Sequence, residues 1–367
     1  MIQVFSRLLP ALGALALLLA YAVPASALNI QRVVSDKGIE AWLVEEHAVP
    51  LIVMEAAWDA CSAQDPEGKE GLTNLLTTLF DEGAGDMDSD SFQQALDNAG
   101  AEMGFGANAD VLYGSMRMLA EHRDDAIGLL KLAIASPRFD ADPISRMRAQ
   151  LVSGIVAAAQ DPGTAAQRQW ATALYGDHPY ARRSQGTPET LAGITADDLR
   201  GLHQALFARA NLHVGIVGAI NAEDAAAVLD TLFASLPATP ELATVPDISP
   251  KLGQDLHVAY DLPQTSIFMA FPGVERTDPD YFAAFLMTQI LGGDTFQSRL
   301  TSEVREKRGL TYGVYTSLAS FQFGDSYVGR MSTGNETAAE AVELIREQFR
   351  WLAEGGITQE DLTRTQT

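Results

Sequence analysis

The stretch PATPELATVPDISP, residues 237–250, is rich in proline and has no usable hydrophobic period, and one order of elements recurs on both sides of it. Before it, residue patterns predict strands near 39–45 and 51–58, helices over 70–81 and 89–98, strands near 102–105 and 111–119, and helices near 123–134 and 142–159. Further helices follow the turn Asp161-Pro162-Gly163, then a strand over 212–217. After it come strands near 256–260 and 265–271, helices over 281–291 and 296–308, strands near 310–318 and 326–331, and a helix over 337–353. Similar turns, Asp65-Pro66 and Asp278-Pro279, open the first helix of each half. A duplication on this scale predicts two like α+β domains, because solenoid repeats are far shorter. The second copy is shorter: its pattern stops inside a helix opened by Thr358, with Glu360 and Asp361 in the first turn. Terminal helices and a strand are therefore expected to be missing from it.

A chain of 367 residues suits two domains better than one core. Its 48 acidic and 25 basic residues give a formal charge of −23, which repels phosphate backbones and argues against nucleic acid as a partner. The first 27 residues read as a secretory signal: Arg7, an apolar run from Leu8 to Ala22, and the small-residue site Ala25-Ser26-Ala27. The apolar run falls short of the roughly 20 residues of a membrane span, so the expectation is cleavage and a periplasmic product. Cys61 is the only cysteine, so no disulfide can form within the chain, and this thiol is read as packing.

Within KEGLTNLLTTLFDEG, residues 69–83, Leu72, Leu75, Leu76, Leu79 and Phe80 recur at helical spacing and form one buried stripe. Asn74, Thr77 and Thr78 share the neighbouring face. Two ligands at i and i+4, with a carboxylate one residue before the second, is the spacing of a zinc peptidase helix. Here that spacing holds an amide and two hydroxyls.

Two longer runs carry a family resemblance. LYGDHPYARRSQGTPETLAGITADDLRGLHQALFARANLHVGIVGAI, residues 174–220, resembles the first-domain signature of the insulinase/pitrilysin-like metallopeptidases, which include the mitochondrial processing peptidase. LGGDTFQSRLTSEVREKRGLTYGVYTSL, residues 291–318, resembles their second-domain signature. The resemblance implies paired α+β domains, each a mostly antiparallel sheet with helices on one side, around a chamber that takes peptides. It also implies an inverted zinc motif, H-x-x-E-H, on the helix after Gly71-Leu72, where the two ligands and the general base fall at Asn74, Thr77 and Thr78. The family's third ligand, a Glu on a later helix, falls near Ser153 or Gly154. None of these residues is a good zinc ligand, and threonine is no base at neutral pH. The helix is read as kept for packing, its metal site emptied.

No two of His47, His122, His178, His203, His213 and His257 stand at i and i+3 or i+4, so no replacement metal site is assigned. His178 is expected to hydrogen-bond within a loop, and His213 to be a satisfied histidine on a buried strand.

The resembling enzymes hold the substrate carbonyl with an arginine and a tyrosine seven residues apart, and R-E-K-R-G-L-T-Y supplies Arg305 and Tyr312 at that separation. A guanidinium and a phenol are suitable donors to the oxyanion of peptide hydrolysis. Read from spacing alone, both have structural roles: Arg305 lies in the last turn before Gly309, and Tyr312 alternates with Leu310 and Val314 as a core face would. The surrounding motif favours the functional role. Lys307 and Arg308 are read as solvated helix-end charges. Asp81, Glu82, Asp86, Asp88 and Asp90 are read as a solvated acidic face, or as a lining of an acidic chamber.

The domain reading is a signal peptide over 1–27, an N-terminal peptidase-like domain over 28–240, a linker over 241–250, and an incomplete C-terminal domain over 251–367 carrying Arg305 and Tyr312. Some members of the family divide the site between two homologous chains. The resemblance thus implies a zinc-free subunit of a periplasmic heterodimeric peptidase, with zinc and base in its partner and peptides as substrates. The alternative is a non-catalytic structural or peptide-binding homologue.

Overall fold

The computed structural model describes residues 28–293 and 297–366. The expected signal segment, residues 1–27, and Phe296 lie outside the described residues.

Alternation sets the first sheet. In β3 (Leu51–Asp59) Ile52, Met54, Ala56 and Trp58 point inward. Leu112, Met116 and Met118 of β5 (Val111–Leu119) and Val214 and Ile216 of β6 (Leu212–Gly218) do the same, as period-two side chains on a half-covered sheet must. With β1 (Ile30–Val34), β2 (Glu40–Glu45) and β4 (Glu102–Ala107), these make six strands in the order β1-β2-β6-β3-β5-β4. Among the described residues, only the β2–β6 pair of this sheet is parallel.

The covered face meets helices α1 (Leu72–Thr77), α2 (Ser89–Asn98), α3 (Arg123–Ala135), α4 (Ala141–Ala158), α6 (Pro188–Ala192), α7 (Ala196–Leu206) and α8 (Ala222–Phe233), all of which share one apolar core with the strands. At its centre the Trp58 ring lies 4.5 Å from Phe207, and Phe80 stacks on Phe105 at 4.2 Å. Helix α5 (Pro162–Tyr175) stands apart and reaches the second sheet, where Trp170 meets Phe268 at 5.8 Å.

The second sheet is a shorter copy. It runs β7 (Gln264–Pro272), α9 (Tyr281–Gly292), a helical turn over Thr301–Glu306, β8 (Thr311–Phe321), β9 (Gly324–Gly334), α10 (Ala338–Ala353) and α11 (Gln359–Gln366). Its antiparallel order β7-β9-β8 repeats β3-β5-β4, with two helical elements before each hairpin and two after it. The molecule is thus α+β, built on two like sheets with helices packed against them.

Three elements differ from the sequence expectation. The strand expected over 256–260 does not form. Its counterpart β2 is held between β1 and β6, and among the described residues the second sheet has no strand equivalent to β6 to pair with. The helix expected over 70–81 keeps α-helical bonding only over Leu72–Thr77. Thr78 and Leu79 donate their N–H groups to the carbonyls of Leu75 and Leu76, tightening the end into three-residue turns. Strand β1 was not foreseen, being short, at the edge and only weakly alternating.

The tip of the β8–β9 hairpin ties the halves together. The Tyr180 hydroxyl donates to Asp110 Oδ1 at 2.6 Å and accepts from the Phe323 N–H at 2.9 Å, while Asp110 Oδ2 accepts from the Gln322 N–H at 3.0 Å. Residues of the Pro-rich stretch are strapped to the same region: the Ile248 N–H donates to the Phe323 carbonyl at 2.7 Å, and His178 Nε2 lies 2.8 Å from the Pro246 carbonyl.

Candidate functional site

The helix that carries Asn74 and Thr77 is tightly fixed at its start. Gly71, at φ 92°, caps α1, and a Cβ there would stand 2.7 Å from the Gln185 carbonyl oxygen, so the position has room only for glycine. The buried Asp65 carboxylate accepts from the Gly71 N–H at 2.9 Å, the Thr73 N–H at 3.0 Å and the Thr73 hydroxyl at 2.5 Å. Burial pushes its carboxyl up to about 6, against the pull of those donors.

On the ligand face, the Thr77 hydroxyl donates to the Asn74 carbonyl at 2.9 Å and the Thr78 hydroxyl to the Leu75 carbonyl at 2.8 Å. Both oxygens are thus engaged with their own helix. Ser153 and Gly154 are exposed on α4. This donor set does not fit zinc: it has no imidazole, thiolate or carboxylate at the three positions. Among the described residues, no group of three or more His, Cys, Asp or Glu side chains is arranged to hold a metal ion.

Arg305 and Tyr312, the pair expected from the resemblance, lie in the second half of the molecule. Arg305 lies in the helical turn Thr301–Glu306, whose bonding is of the wider π type, a form often found at functional sites. The turn ends where Gly309, at φ 64°, returns its N–H to the Arg305 carbonyl at 2.8 Å.

Tyr312 is 88% exposed, while Leu310 and Val314 beside it are buried. The expected alternation fails because a bulge lies between Thr311 and Val314. The Thr311 hydroxyl fastens it, donating toward the Ser332 carbonyl at 2.6 Å and accepting from the Gly313 N–H at 3.1 Å. Tyr312 is therefore no part of a core face, and packing does not account for it.

Several other expectations are corrected. His213 is exposed and pairs with Asp59 at 2.7 Å instead of sitting in the core, because it occupies the uncovered face of β6. Glu82 is buried and bound by Arg146 and by the Ser89 hydroxyl, so it is not on a solvated face; it fastens the segment after α1 to α4. Lys307 and Arg308 both engage Glu303, at 2.6 and 3.0 Å. Cys61 is fully buried, and burial drives its thiol up to about 12, leaving it unreactive. His178 does bond within its loop, accepting from the Tyr180 N–H at 3.2 Å. Asp65 is the one residue of this region whose role was not read from sequence; the Asp-Pro turn ahead of the helix was its only signal.

Residues 193–367 match the family model described as the peptidase M16 inactive domain. A crystal structure of a peptidase M16 inactive domain from Pseudomonas fluorescens is similar at 33% identity and a TM-score of 0.85, over 92% of this chain and 82% of that one. A protein of Helicobacter pylori named non-peptidase homolog YmxG is 24% identical over 344 residues, covering 92% of this chain and 78% of that protein. Pitrilysin shares the fold at 19% identity and a TM-score of 0.72, over 92% of this chain and 38% of that one.

Proposed function

Because this chain belongs to the M16 peptidase family, the insulinase and pitrilysin type, as a homologue without the zinc motif, we propose that it is the zinc-free subunit of a periplasmic heterodimeric peptidase. Its partner supplies the zinc and the general base. This chain contributes Arg305 and Tyr312 to the substrate carbonyl and encloses part of the peptide chamber. The observation that carries this reading is the exposure of Tyr312: a phenol held out on a fastened bulge, with no packing role, at the family's carbonyl-binding position. Neutral side chains at Asn74, Thr77 and Thr78 agree with a division of labour, since the chain keeps one half of the site without the other.

The test is Tyr312→Phe in the chain reconstituted with its zinc-bearing homologue. Loss of one oxyanion donor should lower kcat by about 10²–10³, with assembly unchanged by sizing. The second reading is a non-catalytic structural or peptide-binding homologue. It is the answer if Tyr312→Phe and Arg305→Ala both assemble and cut at the wild-type rate.

A further inference from the structure

A cavity of about 270 Å³ opens between the β1–β2 turn and the loop from α7 to β6, lined among others by Lys37, Glu40, Arg209, Ala210 and Ala238. A single water occupies roughly 10–15 Å³ on such a measure, so the space takes a tetrahedral anion or a carboxylate with its hydration.

Two cations meet at this cavity in a chain where acidic residues outnumber basic ones 48 to 25 and many arginines find carboxylates, as Arg32, Arg117, Arg123, Arg138 and Arg146 do. Among the described residues, no carboxylate lies within ion-pair reach of Lys37 or Arg209, both of which line the cavity. A guanidinium fork matches the two oxygens of a carboxylate or phosphate, and an ammonium adds a second positive charge.

The groups that would repel an anion are already engaged. The Glu40 carboxylate is held at both oxygens by Arg32, each at 2.6 Å. The Pro237 and Ala238 carbonyls accept from the N–H groups of Arg209 and Ala210, at 2.9 and 3.0 Å. Asp230, the nearby acid on α8, accepts through Oδ1 from the Lys37 N–H at 3.3 Å.

We propose that this cavity is a binding site for a small oxyanion, a carboxylate or phosphate group held by Arg209 and Lys37. The inference stands apart from the partner and from Tyr312. Two sources share this chemistry: a free phosphate, and the terminal carboxylate of a peptide.

Isothermal titration of the full chain with inorganic phosphate, and with a short peptide bearing either a free or an amidated C-terminus, tests the proposal and separates the sources. Phosphate or the free-acid peptide should bind with Kd of about 1–10 mM, more weakly as salt is raised. Arg209→Gln should weaken binding at least about tenfold and Lys37→Gln several-fold, the loss of a charge-assisted contact. Preference for the free-acid over the amidated peptide assigns the site to a chain terminus, and preference for phosphate assigns it to that ion. No binding by wild type in this range, or equal binding by Arg209→Gln, overturns the proposal. Should Arg209→Gln fail to fold, Lys37→Gln lies on an exposed turn, and its binding as well as wild type does the same.

Discussion

Asp65 and Tyr312 are opposite cases of what one residue can reveal. Tyr312 could be found by its spacing from Arg305, yet its exposure could not, because the bulge depends on Thr311 reaching the Ser332 carbonyl across the hairpin. Since the ring packs against little, Tyr312→Ala should change unfolding free energy by no more than about 0.5 kcal/mol in denaturant titration. A loss of 2 kcal/mol or more, on the order of a core truncation, would restore a packing role. Asp65 carries no such signal, because a Pro-adjacent aspartate looks like any turn residue and only the fold buries it against three donors. Its folded-state value, about 6, lies above the roughly 3.9 of an unfolded chain, so folding favours the neutral carboxyl. Its contribution to stability is therefore complete below about pH 4, declines as pH rises through 6, and stays reduced above that. Asp65→Asn is neutral at every pH. Between pH 4 and 7.5 the variant should gain on wild type by about 2–3 kcal/mol in urea unfolding, whatever the starting offset. A constant offset would mean that the donors cancel the effect of burial, and a gain of wild type on the variant with rising pH would mean that they outweigh it.

At the scale of elements, period and turn chemistry located most of the helices and strands, because each buries a face of its own. Where bonding between distant segments decides, the sequence was silent: 256–260 has strand-like residues and no partner, and β1 has a partner with little pattern. Helix α1 shows a local conflict. Its apolar stripe calls for a longer helix, and Leu79 and Phe80 are indeed buried, but Thr77 and Thr78 turn their hydroxyls onto i−3 carbonyls and the α-helical bonding stops. Simple replacement should therefore not restore a metal site. Asn74→His, Thr77→Glu and Thr78→His together put two imidazoles at the right spacing, yet Ser153 and Gly154 supply no third ligand. In competition with a chromophoric chelator, the triple variant should bind zinc far more weakly than the roughly 10–16 kcal/mol of complete structural sites. Tight binding would show that another side chain completes the set.

For the whole molecule, the duplication could be read from the order of elements, while the joint between the copies could not, since it brings together residues as far apart in sequence as Asp110, Tyr180 and Gln322. That joint decides whether the chain unfolds as one body. Each sheet has its own apolar cluster, and the second is much the smaller, so alone it would be the weaker unit. The Tyr180 hydroxyl stands between the copies as donor to one and acceptor from the other, and burial raises its pKa, so it keeps its proton throughout the physiological range. Tyr180→Phe keeps the ring against Phe321, 5.2 Å away, and deletes only the oxygen. It leaves the Phe323 N–H without its acceptor and Asp110 Oδ1 without its donor, a loss of about 1–3 kcal/mol at the joint. If the hairpin tip couples the copies, wild type unfolds in one transition by both circular dichroism and tryptophan fluorescence, whereas the variant unfolds in two, the sheet carrying Tyr312 first. Fluorescence separates the steps because Trp58 lies in the first core and Trp351 in α10. Coincident transitions in Tyr180→Phe, with the same midpoint as wild type, would place the coupling elsewhere, in the strapped 237–263 segment or the contact of Trp170 with Phe268.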